Sequence, residues 1–238
     1  MHLNNKESAL FLDFDGTLVD FAATPEGVVV SEALRGLLED LWVQFGGALA
    51  LVSGRSIDSL DSLLNLPQLP VAGGHGAEWR WPGGTRSSLE IDSLDFAAAI
   101  DKLRAFADAQ GLLMEDKSHS VALHFRQKPE LENAIDHFIR EQISELQGLR
   151  VIYGNCVREV QPLGVDKGVA VARFMQELPY RNRIPCYLGD DTTDEDAFAW
   201  VNANQGVSIK VGDGASCATH RLADTAEVLN FLRSLLRN

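Results

Sequence analysis

The chain has 238 residues, enough for one large domain or two small ones and well above the size at which a core is hard to build. Hydrophobic residues make up 45% and charged residues 23%, an ordinary balance for a globular enzyme. With 21 basic against 34 acidic residues the formal charge is −13, which argues against a nucleic-acid partner but leaves a phosphorylated small molecule open, provided a local cation overrides the field.

The opening residues MHLNNKES lack the basic-then-apolar pattern of a secretory signal, and no apolar run approaches the ~18 residues of a membrane span. Cys156, Cys186 and Cys217 form no Cys-x-x-Cys pair, so neither zinc nor a disulfide framework is indicated. The expected setting is cytoplasmic, with no membrane partner; the oligomeric state is left open.

In chain order, the apolar run Ala9 to Leu12 reads as a buried parallel strand that ends where Asp13-Phe14-Asp15-Gly16-Thr17 begins. Ser31 is placed to cap a helix with apolar residues at Leu34, Leu37, Leu38, Leu41, Trp42 and Phe45, stopped by Gly46-Gly47. A second buried strand, Ala48 to Val52, runs into Ser53-Gly54-Arg55. A short helix through Ile57, Leu60 and Leu64 leads to a strand near Leu69 to Ala72. The tight turn Gly73-Gly74-His75-Gly76 and a hairpin around Glu78 to Trp81 follow. This is the βαβ grammar of a parallel sheet.

From about Ser93 the pattern changes to αββαββ, the signature of an antiparallel α+β layer. Its helices run through Phe96 to Ala107 and Leu131 to Leu146. Its strands are Leu112 to Glu115, His119 to Arg126, Leu149 to Tyr153 and Cys156 to Val160. In His119 to Arg126 alternation sets Val121, Leu123 and Phe125 on one face and Ala122, His124 and Arg126 on the other, predicting an apolar face and a cationic one. After Pro162 the βα grammar resumes: a helix from Asp166-Lys167 to near Pro179, a strand Ile184 to Leu188, a strand Gly206 to Val211 and a final amphipathic helix. The fold class is α/β: a Rossmann-like parallel-sheet core, residues 1–92 and 162–238, interrupted by an inserted α+β cap, residues 93–161.

Ligands of open α/β sheets collect beyond the carboxyl ends of the strands. Carboxylates stranded there are costly unless a cation or a reaction uses them. Asp13, Asp15 and Asp190 suit a hard cation, and magnesium takes one or two carboxylates with waters and phosphate oxygens. An EF-hand loop is excluded, because Gly16 is fourth rather than sixth in the acidic run. GDDTTDED (189 to 196) also reads as an acidic helix start, which accounts for Asp194 and Glu195 but not for two aspartates directly after a buried strand. Ser53-Gly54-Arg55 stands at a strand-to-helix junction of the kind that binds phosphate. Lys167 opposes the helix dipole, so it needs an anion nearby. Walker, G-x-G-x-x-G and G-x-S-x-G patterns are missing from the sequence.

Asp-x-Asp-Gly-Thr, a strand-borne serine, a lysine and Gly-Asp-Asp-x-x-Asp, in that order, resemble the four motifs of the haloacid dehalogenase superfamily. LVSGR (51 to 55), GGHGAEWR (73 to 80), ALHFR (122 to 126) and REVQPLGVDKG (158 to 168) narrow the resemblance to its trehalose-phosphatase branch, nearly end to end. The resemblance implies a Mg²⁺-dependent phosphomonoesterase acting on trehalose 6-phosphate. It makes Asp13 the nucleophile, Asp15 the general acid and base, and Ser53 and Lys167 holders of the phosphoryl oxygens. It puts Asp13, the Asp15 carbonyl and Asp190 on the metal, with Asp191 and Asp194 orienting Lys167 and the metal's surroundings. Gly54, Arg55 and His75 are implied to bind substrate from the core; Lys117, His124, Arg126 and Glu159 are implied to read the sugar from the cap. The branch usually carries tyrosine where this chain has Phe125. The alternatives are a phosphatase for sucrose phosphate or glucosylglycerol phosphate, a phospho-accepting receiver module and a non-catalytic carbohydrate-binding protein. The receiver module lacks both the cap and an aspartate two residues after its acceptor.

Overall fold

The computed structural model describes residues 3–22, 27–89, 94–116, 120–143 and 145–237. They divide into two compact units, one from residues 1–88 and 166–238, the other from residues 89–165.

The first unit is built on β1 (Ser8–Leu12), whose five residues are all buried. Leu10 and Leu12 point to one side of the sheet, into a cluster with Leu34, Leu38 and Leu41 of α1 (Glu32–Gln44) and Val228, Leu232 and Leu235 of α7 (Thr225–Leu235). Phe11 points to the other side, against Phe174 of α5 (Lys167–Phe174) and Tyr180, with ring centroids 6.0 and 5.4 Å away. An apolar strand covered on both faces needs no polar alternation, which is why SALFL reads as a continuous run. Ser31 caps α1 as expected, its hydroxyl accepting from the Leu34 amide at 3.2 Å.

The remaining elements of this unit are β2 (Leu49–Val52), α2 (Ile57–Leu64), β3 (Val71–Gly73), β4 (Glu78–Arg80), β5 (Arg86–Ser88), β10 (Ile184–Gly189), α6 (Glu195–Ala203), β11 (Val207–Val211) and β12 (His220–Leu222). The sheet order is β12-β11-β10-β1-β2-β3-β4-β5, parallel as far as β3 and antiparallel through the β4–β5 hairpin. From β1 the chain moves outward to β2 and β3, then returns to add β10, β11 and β12 on the opposite side. The order therefore reverses between β1 and β10, which is where open α/β sheets leave a crevice. Register decides what meets there. Leu12 pairs with Leu188 of β10 and Leu51 of β2, so Asp13, Gly189-Asp190 and Val52-Ser53 emerge together at the carboxyl edge.

The second unit is a four-stranded antiparallel sheet, order β6-β7-β9-β8, from β6 (Leu113–Asp116), β7 (Val121–His124), β8 (Leu149–Gly154) and β9 (Val157–Pro162). Its core joins Phe96, Ala99 and Leu103 of α3 (Leu94–Gln110), Ile135 and Ile139 of α4 (Glu132–Gln142), and Val121, Leu123, Phe125 and Val160. Arg158 lies on this helix side as well. It ion-pairs with Asp136 at 2.7 Å and Glu132 at 2.6 Å and stacks on Phe125 and Tyr153, so a buried cation is fully compensated.

Several sequence expectations need correction. β7 ends at His124, and Arg126 falls in an exposed turn rather than on the strand. The fifth helix stops at Phe174, well short of Pro179. The three-residue strand β12 was not foreseen, while helix α6 begins at the acidic helix start that GDDTTDED also allowed. The open face of the second sheet is not cationic. Glu115 and Glu159 both stand opposite Ala122 in neighbouring strands, and the Glu115 carboxylate lies 2.9 Å from His124 Nε2. Alternation along one strand does not reveal what its neighbours bring to the same face.

Candidate active site

Asp13 follows β1 directly, its amide donating to the Leu188 carbonyl at 2.9 Å and so extending the pairing with β10. Its carboxylate is buried and ion-paired with Lys167 Nζ at 2.9 Å. Lys167 starts α5, capped by the Asp166 carboxylate on the Val169 amide, and is 2% exposed. Its Nζ donates at 2.7 Å to Asp194, which is wholly buried. A buried lysine at a helix start is unfavourable on two counts, desolvation and dipole; these two carboxylates offset both.

Asp194 accepts four hydrogen bonds. One oxygen takes Lys167 and the Tyr187 hydroxyl (2.6 Å); the other takes the amides of Asp190 and Asp191 at 3.0 and 2.9 Å. It closes a capping box with Asp191, whose own carboxylate accepts from the Thr192 amide. The helix-start reading of GDDTTDED is thus correct for Asp191 and Asp194. Asp190 is different: Thr17 donates to its carboxylate at 3.2 Å, and that carboxylate crowds against Gly16. A Cβ on Gly16 would lie 2.2 Å from an Asp190 oxygen, and φ is +76° there, so only glycine fits.

Asp13, Asp190 and Asp194 bring carboxylate oxygens within 4.8 Å of one another. Burial, then the charges of Asp194 and Asp190, push the Asp13 carboxyl well above the usual range, with Lys167 opposing. Burial and Asp194 push Asp190 up to about 6, against Lys167, Asp13 and Thr17. Three carboxylates against the ammoniums of Lys167 and, on the Asp190 carbonyl, Lys210 leave a net deficit of positive charge. Hard oxygen donors with that deficit fit a divalent cation. With Asp194 already saturated by donors, Asp13 and Asp190 are the side chains able to hold it. A cleft of about 280 Å³, lined by Gly16, Asp20, Asp190, Asp213 and Asp224 among others, adjoins them.

Asp15 does not join this cluster through its side chain. Both its oxygens are taken by Arg55, at 2.6 Å from Nε and 2.7 Å from Nη2. The Arg55 amide in turn donates to the buried Ser53 hydroxyl at 3.1 Å, which leaves the Ser53 O–H proton to donate elsewhere. Gly54 is overlaid by the His75 ring: a Cβ there would come within 2.6 Å of it. Of the other expected residues, Glu159 is buried and accepts from the Ser120 hydroxyl at 2.5 Å, His124 faces Glu115, and Arg126 is exposed. Lys117 lies outside the described residues. Sequence reasoning missed Thr17, Tyr187 and Lys210 as partners of the acidic cluster. The available signal was a tyrosine and a lysine inside strands that are otherwise largely buried and apolar.

The doubly wound sheet, with the aspartate–lysine pair at its switch point, is a fold shared with a solved haloacid dehalogenase-like hydrolase from Bacteroides thetaiotaomicron, 15% identical, at a TM-score of 0.70 over 98% of this chain and 99% of that one. A family model described as trehalose-phosphatase matches residues 11–227. Trehalose-6-phosphate phosphatase of Escherichia coli (strain K12) is 38% identical over 228 residues, 95% of this chain and 86% of that protein. A solved trehalose-6-phosphate phosphatase related protein is 28% identical, with a TM-score of 0.72 over 96% of this chain and 97% of that one. The C-terminal domain of C. albicans trehalose-6-phosphate phosphatase, 22% identical, shares the fold at a TM-score of 0.84 over 98% of this chain and 92% of that one. The chain belongs to the trehalose-phosphatase family and is a phosphatase. Among the described residues no helix is long and apolar enough to cross a membrane.

Proposed function

We propose that the protein hydrolyses trehalose 6-phosphate to trehalose and inorganic phosphate, with Asp13 as nucleophile and Mg²⁺ as its cation. The observation that carries the reading is the buried Asp13–Lys167 pair at the strand-order reversal of a trehalose-phosphatase-family sheet. An Asp13 oxygen attacks phosphorus, the bond from phosphorus to the sugar oxygen breaks, and Asp15 gives that oxygen a proton. Water then attacks the aspartyl-phosphate, passes a proton to Asp15, and frees Asp13 and phosphate. Since Arg55 occupies both Asp15 oxygens, proton donation requires that pair to open at one oxygen. Lys167 and Ser53 neutralise and hold the phosphoryl oxygens, with Gly54, Arg55 and His75 beside them. Asp13, Asp190 and the Asp15 carbonyl would hold the magnesium, which would supply positive charge to those oxygens. Asp194 keeps Lys167 aimed, and Asp191 fixes the turn that carries Asp190.

We assign catalysis to residues 1–92 and 162–238 and sugar recognition to a cap of residues 93–161. The polar open face of its sheet, with Glu159 and His124, supports this; Arg126 and Lys117 are included on the sequence resemblance alone. The test is phosphate release from a panel of sugar phosphates, with Mg²⁺ and with excess chelator. Trehalose 6-phosphate should be the best substrate, and chelation should abolish release until Mg²⁺ is restored. Preference for sucrose phosphate or glucosylglycerol phosphate would overturn the substrate; full activity in chelator would overturn the cation.

A further inference from the structure

Lys210 is a charged residue in the parallel strand β11, where the other side chains are apolar or small and all but the half-buried Val207 are buried. It is 6% exposed, a rare state for lysine without a specific partner. Register sets it beside Gly189, the last residue of β10, so its side chain extends just past the carboxyl edge of the sheet. There Nζ donates to the backbone carbonyl of Asp190. The Asp190 amide is already held by Asp194, and its carboxylate by Thr17. The peptide on either side of Asp190 is therefore clamped, by an anion at its N–H and a cation at its carbonyl. Lys210 also lowers the titration of Glu195 in the first turn of α6, though less than the Cys217 and Ser216 hydrogen bonds do. Its charge thus bears on the same loop from both ends.

We propose that Lys210 is a positioning residue for the cation site: it fixes the Asp190 main chain so that the Asp190 carboxylate faces Asp13. A lysine ammonium near a divalent cation is repulsive in itself, so its retention there makes sense only if the geometry it imposes outweighs the repulsion. The inference rests on Asp190 being a ligand of the cation.

The two ideas are separable. Mn²⁺ binding to the full-length protein, measured by calorimetry, should weaken roughly ten- to a hundred-fold in Lys210→Met, the usual cost of losing a residue that orients a metal ligand. Lys210→Arg, which keeps the charged donor, should recover most of that loss. The half-saturating Mg²⁺ concentration for phosphate release should rise in parallel, with a much smaller change in kcat at saturating Mg²⁺. Wild-type or tighter Mn²⁺ affinity in Lys210→Met would overturn the inference, because the charge alone would then be what matters. If Lys210→Met does not fold, Lys210→Gln, one atom too short to reach the carbonyl, takes its place under the same criterion. Asp190→Asn is measured alongside. Unchanged Mn²⁺ affinity there would remove the cation site itself; affinity lost in Asp190→Asn but kept in Lys210→Met would remove only the role of Lys210.

Discussion

Asp13 and Asp15 stand two residues apart yet occupy different electrostatic settings. Asp13 is buried against Lys167 within the acidic cluster; Asp15 is half-buried and bidentate on Arg55. Their amides should therefore fail in different ways. Asp13→Asn removes the attacking oxygen, so acid quench should trap no phosphoenzyme and turnover should vanish. Asp15→Asn keeps the nucleophile but transfers no proton, and turnover should fall about 10²–10⁴-fold. Near-normal turnover in Asp13→Asn would end the covalent mechanism. Both aspartates and Lys167 were legible because each breaks a local rule, a carboxylate at a buried strand end or a cation at a helix start. Lys210 and Tyr187 were not. Their meaning depends on β10 and β11 lying side by side, and nothing in either segment names its neighbour.

The elements of the second unit show how far periodicity reaches. Alternation correctly sent Val121, Leu123 and Phe125 into the helix-covered core. It also led to a cationic opposite face, which the register replaced with a mixed one holding Glu115, His124 and Glu159. The turn after Phe125 carries Arg126 off the strand. Phe125 packs inside the core beneath Arg158 and takes no part in the open face. If that face grips the sugar, Glu159→Ala should lower kcat/KM for trehalose 6-phosphate roughly ten- to a hundred-fold, since a charge-assisted hydrogen bond contributes about 1.5–3 kcal/mol. Hydrolysis of p-nitrophenyl phosphate, which has no sugar to hold, should change far less. Equal losses on both substrates would mean Glu159 serves stability through Ser120 instead.

Across the whole molecule, the acidic cluster links metal, pH and stability. Asp13 and Asp190 titrate above the unfolded value of about 3.9, Asp190 at about 6. Between those values the native chain binds more protons than the unfolded one, so these groups make metal-free stability fall as pH rises. A cation bound to the ionised carboxylates acts in the opposite sense, because proton and metal compete for the same oxygens. The rise in Tm on adding Mg²⁺ should therefore be larger near about pH 7.5 than near about pH 5. At a hundred times Kd the gain corresponds to about 2.7 kcal/mol. Thermal scans with and without Mg²⁺ at the two pH values check this. An equal gain at both would show that the cation binds away from Asp13 and Asp190.

The sequence by itself determined the fold class, the order of most elements and the residues proposed to carry the chemistry. Those properties are local: an apolar run ends in carboxylates, a cap residue precedes a helical period, and a motif lies within a few positions. Tertiary structure decided which of these meet. The strand order β11-β10-β1-β2 brings residues 13, 53, 190 and 210 to one edge. It engages Asp194 with four donors, and it turns the Asp15 side chain to Arg55 while Asp13 and Asp190 face the charge deficit. The physical reason is that long-range pairing is set by total burial and register, and charge compensation follows from whichever groups that packing places together.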